Sequence, residues 1–251
     1  MARSIAVAMR KGGSGKTTTT VNLAAALSLR GKRVLLVDLD PQANATVAVG
    51  IDPLSAPYHV GQLLVDTSID PRRALFTTNY NLHILPSHAD LAKTESGMKA
   101  TDVHALKSLL EPLQTIYDYI VVDTPPSESL LTASALTFAN EIIIPLQAHY
   151  FAMEGLAQAM EQVEKVKQGL NPNIRVIGIL PTMVNPRTNI SKTVIDTAKA
   201  AYPDLVYDFG VDYSVRHPEA TLAGEPIVLF DPSHSGAMAY KKLAEVVDGQ
   251  A

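Results

Sequence analysis

One junction near the amino terminus restricts the fold more than any other feature. A continuous apolar run, Ile5-Ala6-Val7-Ala8, leads into Lys11-Gly12-Gly13-Ser14-Gly15-Lys16-Thr17-Thr18, and a helix-period segment follows over 17–29. Glycines let backbone N–H groups curl around a phosphate, and the amino end of the following helix adds partial positive charge. In that arrangement Gly12, Gly13, Ser14, Gly15, Lys16, Thr17 and Thr18 form a phosphate cradle, Lys16 reaching the outer phosphates and the Thr17 hydroxyl holding Mg²⁺. The general spacing G-x-x-x-x-G-K-[ST] asks for glycine at position 10. Arg10 stands there, so the loop is a variant with a lysine at position 11.

Similar apolar runs recur at Val34-Leu35-Leu36-Val37, Ile120-Val121-Val122, Ile142-Ile143-Ile144 and Val176-Ile177-Gly178-Ile179. Weaker ones are Leu82-His83-Ile84-Leu85 and Leu205-Val206-Tyr207. Continuous rather than alternating apolar character is what a parallel strand shows when helices cover both faces of its sheet. Helical periodicity falls between the runs, over 102–114, 130–138, 153–167, 191–201 and 237–247, and 51–58 is the most loop-like stretch. The repeated β-α order predicts a doubly wound α/β fold with a mostly parallel sheet. The 16 prolines are scattered and no linker interrupts the pattern, so residues 1–251 read as a single domain.

Composition removes several chemistries. The chain has no cysteine, which excludes disulfides, a zinc ribbon, a thiol nucleophile and a thiolate-held iron–sulfur cluster. No apolar run approaches the length of a membrane helix, and the opening MARSIAVAMRK turns polar too soon for a signal peptide, so a cytoplasmic location is expected. With a pI near 6.0 and a net charge of -4, the chain does not coat nucleic acid by bulk charge; any such contact must be local.

Three carboxylates complete the picture. Asp38 and Asp40 follow the second strand in VLLVDLDPQAN, and Asp123 ends another in YIVVDTPPS. Ligands of open α/β sheets bind beyond the carboxyl ends of the strands, so all three should converge on the glycine loop. An aspartate after a strand is ordinarily a turn residue; beside a phosphate loop it reads as part of a magnesium shell. Asp123 is the candidate for holding Mg²⁺ through water, and Asp38 and Asp40 for the metal shell and for polarising an attacking water.

Together KGGSGKTT, VLLVDLDPQANAT, VVDTPP, IPLQ with FAMEGL, PTMVNPRTN and SVRHPEATLAGEPIVLFDPSHSGAMAYKKLAEVV resemble the ParA and MinD class of deviant Walker-type ATPases. The resemblance covers almost the whole chain and is closest to the short, Soj-like ParA branch. It implies a P-loop fold that binds ATP and Mg²⁺ and a homodimer that sandwiches two ATP molecules. Lys11 would reach across that dimer to the partner's phosphates, Gly12 would be small so that the sandwich closes, and Asp40 would support hydrolysis, with Asp38 in the magnesium shell. A cation supplied in trans couples dimerisation to phosphate occupancy and offsets charge that develops during phosphoryl transfer. By the same resemblance 183–185 and 211–212 border the adenine, which makes Asn185 either a base contact or a loop amide satisfied by backbone. Pro125, Pro126 and Gln147 would lie near the γ-phosphate. At His149, where many relatives carry an acidic residue, the simpler reading is a packed side chain.

The class divides by what the ATP dimer touches. The last helical segment, AMAYKKLAEVVDGQA, has Leu243, Val246 and Val247 on one face but no Phe or Trp to insert, so packing on the sheet is expected rather than membrane attachment. Arg187 and Arg216 fall at positions where the Soj-like pattern carries DNA-binding arginines; otherwise each is an ordinary solvated arginine. The resemblance thus implies a nucleoid-associated ATPase that binds non-specific double-stranded DNA as a dimer and positions a plasmid, chromosome or protein cargo. A ParB-like or other adaptor would stimulate its hydrolysis. The sequence begins at the first strand, so the helix-turn-helix extension of larger ParA relatives is not expected. The competing readings are a MinD-like membrane regulator and a metabolic ATP-dependent ligase. A GTPase is disfavoured because no N-K-x-D motif occurs.

Overall fold

The computed structural model describes residues 1–250. Seven strands, β1 (Arg3–Val7), β2 (Val34–Asp38), β3 (Phe76–Thr77), β4 (Leu82–Leu85), β5 (Tyr119–Asp123), β6 (Glu141–Gln147) and β7 (Arg175–Thr182), form one sheet in the order β3-β4-β2-β5-β1-β6-β7. Every pairing is parallel except that of the short edge strand β3 with β4. The expected doubly wound architecture is therefore present. β2 and β5 lie on one side of β1, and β6 and β7 on the other, so the chain reverses its direction of travel across the sheet beside β1. The carboxyl ends of the central strands open onto the crevice that this reversal leaves.

Burial explains why the strands read as unbroken apolar runs. Ile5 and Val7 of β1 face one core, with Val34 and Leu36 of β2, Val121 of β5 and Ile143 of β6. Ala6, Leu35, Val37, Ile120, Val122, Ile142 and Ile144 face the other. On the first face α1 (Lys16–Leu29) packs against the last helix, bringing Leu23 and Leu27 alongside Tyr240, Leu243 and Val247, all essentially without solvent contact. The second face is covered by Leu91, Leu106, Leu131, Leu136 and Leu156 from several helices.

The remaining helices in chain order are α2 (Asn44–Ala48), α3 (Val60–Val65), α4 (Leu91–Gly97), α5 (Ala105–Leu110), α6 (Leu130–Phe138), α7 (Ala152–Gly169), α8 (Asn189–Ala201), α9 (Arg216–Leu222), α10 (Ile227–Phe230) and α11 (Ser235–Gly249). Two expectations need correction. The segment over 102–114 is not one helix: tight 3-10 turns at Ala100–His104 and Glu111–Leu113 flank α5. Pro112 lacks the N–H that a continuing α-helix needs, which favours the break. Leu205-Val206-Tyr207 is not a strand but a single bridge from Val206 to Ile179. There the Tyr207 ring lies over Gly178, where a Cβ would come within 2.1 Å of it. No described helix is long and apolar enough to cross a membrane. The apolar face of α11 is already used, since Leu243, Ala244 and Val247 are fully buried.

Candidate active site

The glycine loop leaves β1 and enters α1 with the geometry the sequence suggested. Gly13 and Gly15 have φ of +71° and +89°, the left-handed region that side chains disfavour. Gly15 is the cap of α1, no side chain caps the helix, and its first turn carries no acidic residue. The free N–H groups of that turn are thus left for an anion. The loop is braced from outside its own motif: the Thr182 hydroxyl, at the end of β7, donates to the Ser14 carbonyl at 2.8 Å. The Ser14 hydroxyl is buried without a partner.

Lys16 folds back so that its ammonium donates to the Lys11 carbonyl at 3.1 Å. Burial lowers its pKa, while the charges of Asp123 and Asp40 oppose that shift. Lys11 is half-buried and forms no ion pair among the described residues, whereas its neighbour Arg10 pairs with Glu128 at 2.9 Å. Gly12 is exposed, and a Cβ there would touch nothing within 4 Å. Inside one chain, then, no contact requires glycine at this position.

Strand register brings the carboxylates together. Asp123 pairs in register with Asp38 on one side and Val7 on the other, at the carboxyl ends of β5, β2 and β1. Thr17 Oγ1 donates to Asp123 Oδ2 at 2.8 Å and Thr20 Oγ1 to Oδ1 at 2.9 Å. Asp38 Oδ2 accepts from both the backbone and the hydroxyl of Thr46, at 2.8 and 2.7 Å, and its Oδ1 accepts from the Asp40 N–H at 3.1 Å. Both groups are fully buried, and burial pushes both pKa values well above the ordinary carboxylate range, each raised further by neighbouring carboxylates. Two desolvated carboxylates side by side, with Lys16 the buried cation near Asp123, still fit a hard divalent ion: Mg²⁺ would be held by Thr17 and Asp38 and, through water, by Asp123, with the oxygen donors it prefers. Its charge would reverse the cost of ionising the pair and neutralise the phosphates beside it. Asp40 is nearly buried, and its Oδ1 accepts from the Gln42 N–H at 3.0 Å. Its backbone carbonyl accepts from the Ser87 hydroxyl at 2.7 Å. The loop carrying the candidate water-polarising group is thereby fixed at two points.

A cavity of ≈ 620 Å³ continues from the phosphate loop, bounded by Gly15, Thr18, Met183, Val211, Asp212 and His217. Its wall is mostly apolar, as a site for a flat base should be. The wall includes Met183, Val211 and Asp212 but not Asn185. Asn185 is exposed, and its side-chain oxygen accepts from the Arg187 N–H at 3.1 Å, the loop-amide alternative. His217 and Thr182 were not anticipated. His217 has both ring nitrogens buried and unpartnered, and burial, with His234 beside it, lowers its pKa. Gly236 makes room for it: a Cβ there would come within 2.6 Å of the ring. A glycine facing a histidine from a distant helix was the available signal, and it has no short-range pattern.

The outlying residues divide. Arg187 is exposed on the turn between β7 and α8. Arg216 is engaged: its guanidinium donates to Glu219 at 2.7 Å and Asp231 at 3.2 Å and lies 4.8 Å from the Phe230 ring centre. Gln147 donates to the Met183 sulfur at 3.4 Å, Pro125 is buried and Pro126 exposed. His149 is exposed rather than packed, next to the solvent-facing pair Tyr150 and Phe151. The sharp turn after β6 turns these three side chains outward.

Known proteins resemble the chain over most of its length. A family model described as an AAA domain matches residues 2–176. The chain is 43% identical over 251 residues to the sporulation initiation inhibitor protein Soj of Bacillus subtilis, covering 98% of each chain. It is 37% identical over 249 residues to the chromosome partitioning protein ParA of Caulobacter vibrioides, covering 98% of this chain and 93% of that one. A solved structure of cobyrinic acid a,c-diamide synthase from Mycobacterium smegmatis with bound ADP and magnesium has a TM-score of 0.86 at 34% identity, covering 98% of this chain and 94% of that chain. The fold and phosphate site define a P-loop ATPase of the AAA-domain kind. Within it, the chain belongs to the ParA/MinD class, on the branch of Soj and ParA.

Proposed function

We propose that the chain is a Mg²⁺-dependent ATPase that dimerises around ATP, binds non-specific double-stranded DNA as the dimer, and positions or segregates a cargo. A ParB-like adaptor accelerates its hydrolysis, and the chain works in the cytoplasm on the nucleoid. The observation that carries this reading is Lys11: a lysine at the rim of a phosphate loop, without an ion pair among the described residues, beside an exposed Gly12 that leaves room for a second subunit. A second phosphate-bearing surface is the partner such a cation suits. Lys16 would leave the Lys11 carbonyl for the phosphates, Asp40 would orient the attacking water, and the partner's counterpart of Lys11 would offset charge on the transferring group.

Arg187 is available to a DNA phosphate as it stands. Arg216 would have to exchange Glu219 and Asp231 for one, which makes its contact conditional and salt-sensitive. Two phosphate contacts per chain give a log–log salt slope of about -1.8 for a monomer and about -3.6 for a dimer. The test is binding to random-sequence duplex with ATP, ADP or a slowly hydrolysed analogue across a salt series. Binding confined to the triphosphate state with the steeper slope is expected. An ATP dimer that ignores DNA at every salt concentration would overturn the DNA part of the reading and favour small-molecule ligase chemistry, such as the synthase name of one structural relative implies for that protein.

A further inference from the structure

Away from the nucleotide crevice, two histidines and an aspartate meet where no phosphate chemistry calls for them. His59 stands immediately before α3; His88 and Asp90 lie on the short turn between β4 and α4. The two turns are held side by side by the Val60 N–H, which donates to the Pro86 carbonyl at 2.9 Å. The imidazoles stack with centres 4.8 Å apart and planes 29° from parallel, and one ligand atom from each of the three residues lies within 4.8 Å of the others.

We propose that His59, His88 and Asp90 bind a divalent transition-metal ion of the zinc class, at a site separate from that for magnesium and nucleotide. The donor set, two imidazoles and one carboxylate, suits Zn²⁺, Co²⁺ or Ni²⁺ rather than Mg²⁺. Its spacing fits such an ion. Donors bound at about 2.0 Å around a tetrahedral ion stand about 3.3 Å apart; His88 Nδ1 lies 3.3 Å from Asp90 Oδ2 and accepts from the Asp90 N–H at 3.1 Å, a bond the ion would displace. The widest separation in the cluster exceeds that figure by about 1.5 Å, a movement that rotation of one ring about its side-chain torsions supplies.

His59 provides the independent observation. It is only 7% exposed, and its Nδ1 is buried with no hydrogen-bond partner. A buried, unpaired imidazole nitrogen costs free energy that a metal would recover. Gly61 keeps the ring's flank open, since a Cβ there would come within 3.1 Å of Nδ1. Burial and the neighbouring His88 lower the His59 pKa, so the ring stays neutral with a lone pair to donate. His88 and Asp90 are half-exposed, which gives the ion a way in. Lys93 takes only one oxygen of Asp90, Oδ1 at 2.7 Å, and leaves Oδ2 for the ion. Three protein ligands leave the remaining position of a tetrahedral ion to water.

The site also touches the catalytic loop through one residue. Ser87, next to His88, donates its hydroxyl to the Asp40 carbonyl at 2.7 Å and its N–H to Thr46 Oγ1 at 3.0 Å. Metal bound at His88 therefore stiffens the turn that holds the Asp40 loop.

The experiment titrates Co²⁺ into the full chain after chelator treatment, with saturating Mg²⁺ and ADP present so that the crevice is filled. One equivalent of Co²⁺ per chain with visible ligand-field bands is expected, displaced by Zn²⁺. Zinc at a hundredfold excess over its dissociation constant should raise Tm by about 5–10 °C. His88→Gln and Asp90→Asn, both at half-exposed positions that tolerate polar replacement, should each weaken binding at least ~10-fold. Absence of ligand-field bands in the wild-type protein at millimolar Co²⁺ would overturn the proposal. So would wild-type affinity in both variants.

Discussion

The phosphate half and the base half of the crevice are built on different principles. On the glycine-loop side, three adjacent strand ends and a helix terminus supply backbone N–H groups open to an anion and two buried carboxylates whose oxygens all have partners. The base half is a shell of side chains gathered from β7, 211–218 and α11, apolar for the most part, with one unpartnered histidine. A phosphate is recognised by charge and backbone direction, which a few consecutive residues can encode. A flat heterocycle is recognised by shape, which only the assembled fold provides.

This contrast can be broken or sharpened by mutation. The largest effects belong to the phosphate half. Lys16→Ala should abolish detectable ATP turnover, and Asp40→Ala should lower it at least ~100-fold while nucleotide binding, read by equilibrium dialysis, stays near wild type. Retained turnover in the second variant would remove Asp40 from the mechanism. In the base half, His217→Ala should raise KM for ATP about tenfold and leave kcat alone, because it removes contact made equally in the ground and transition states. A fall in kcat instead would mean that the two halves are not separable. Next in size is a stability effect at the carboxylate pair. Asp123 binds a proton more readily in the folded chain than in the unfolded one, since burial raises its pKa to about 8. The folded state therefore holds more protons between the ordinary carboxylate range and that value, and its contribution to stability falls as pH rises through this window. Without Mg²⁺, the Tm advantage of Asp123→Asn over wild type should be small at pH 5 and several degrees larger at pH 8, by calorimetry at both pH values. The smallest effect is expected at Arg187→Glu, which should reduce the DNA salt slope by about 0.9 per chain and leave ATP turnover unassisted by DNA unchanged.

What the sequence made legible follows the same division. The strand runs predicted the parallel sheet because burial on both faces leaves no alternation to misread, and Ile142-Ile143-Ile144 sits inside β6 as expected. Asp38 and Asp123 were legible as strand-end carboxylates, though their direct register could be known only from the sheet order. The segment over 102–114 read as a single helix because its apolar spacing is helical; one proline and two 3-10 turns divide it without disturbing that spacing. Val206 looked like a strand residue because it is apolar and buried, yet it makes one bridge only. His217 and Thr182 were invisible as site residues because their partners, Gly236 and Ser14, lie far away in the chain or outside any local motif. The engagement of Arg216 by Asp231 was equally out of reach, fifteen positions along the sequence and on the far side of α10.

The bond from Thr182 to the Ser14 carbonyl makes the crevice a gauge of length. It bolts the floor of the base cavity to the frame of the phosphate loop, so the span between the two subsites is set by the protein and not by the occupant. A ligand is measured end to end. Inorganic triphosphate or a free nucleoside would fill one jaw only, and a nucleotide of the right reach would fill both.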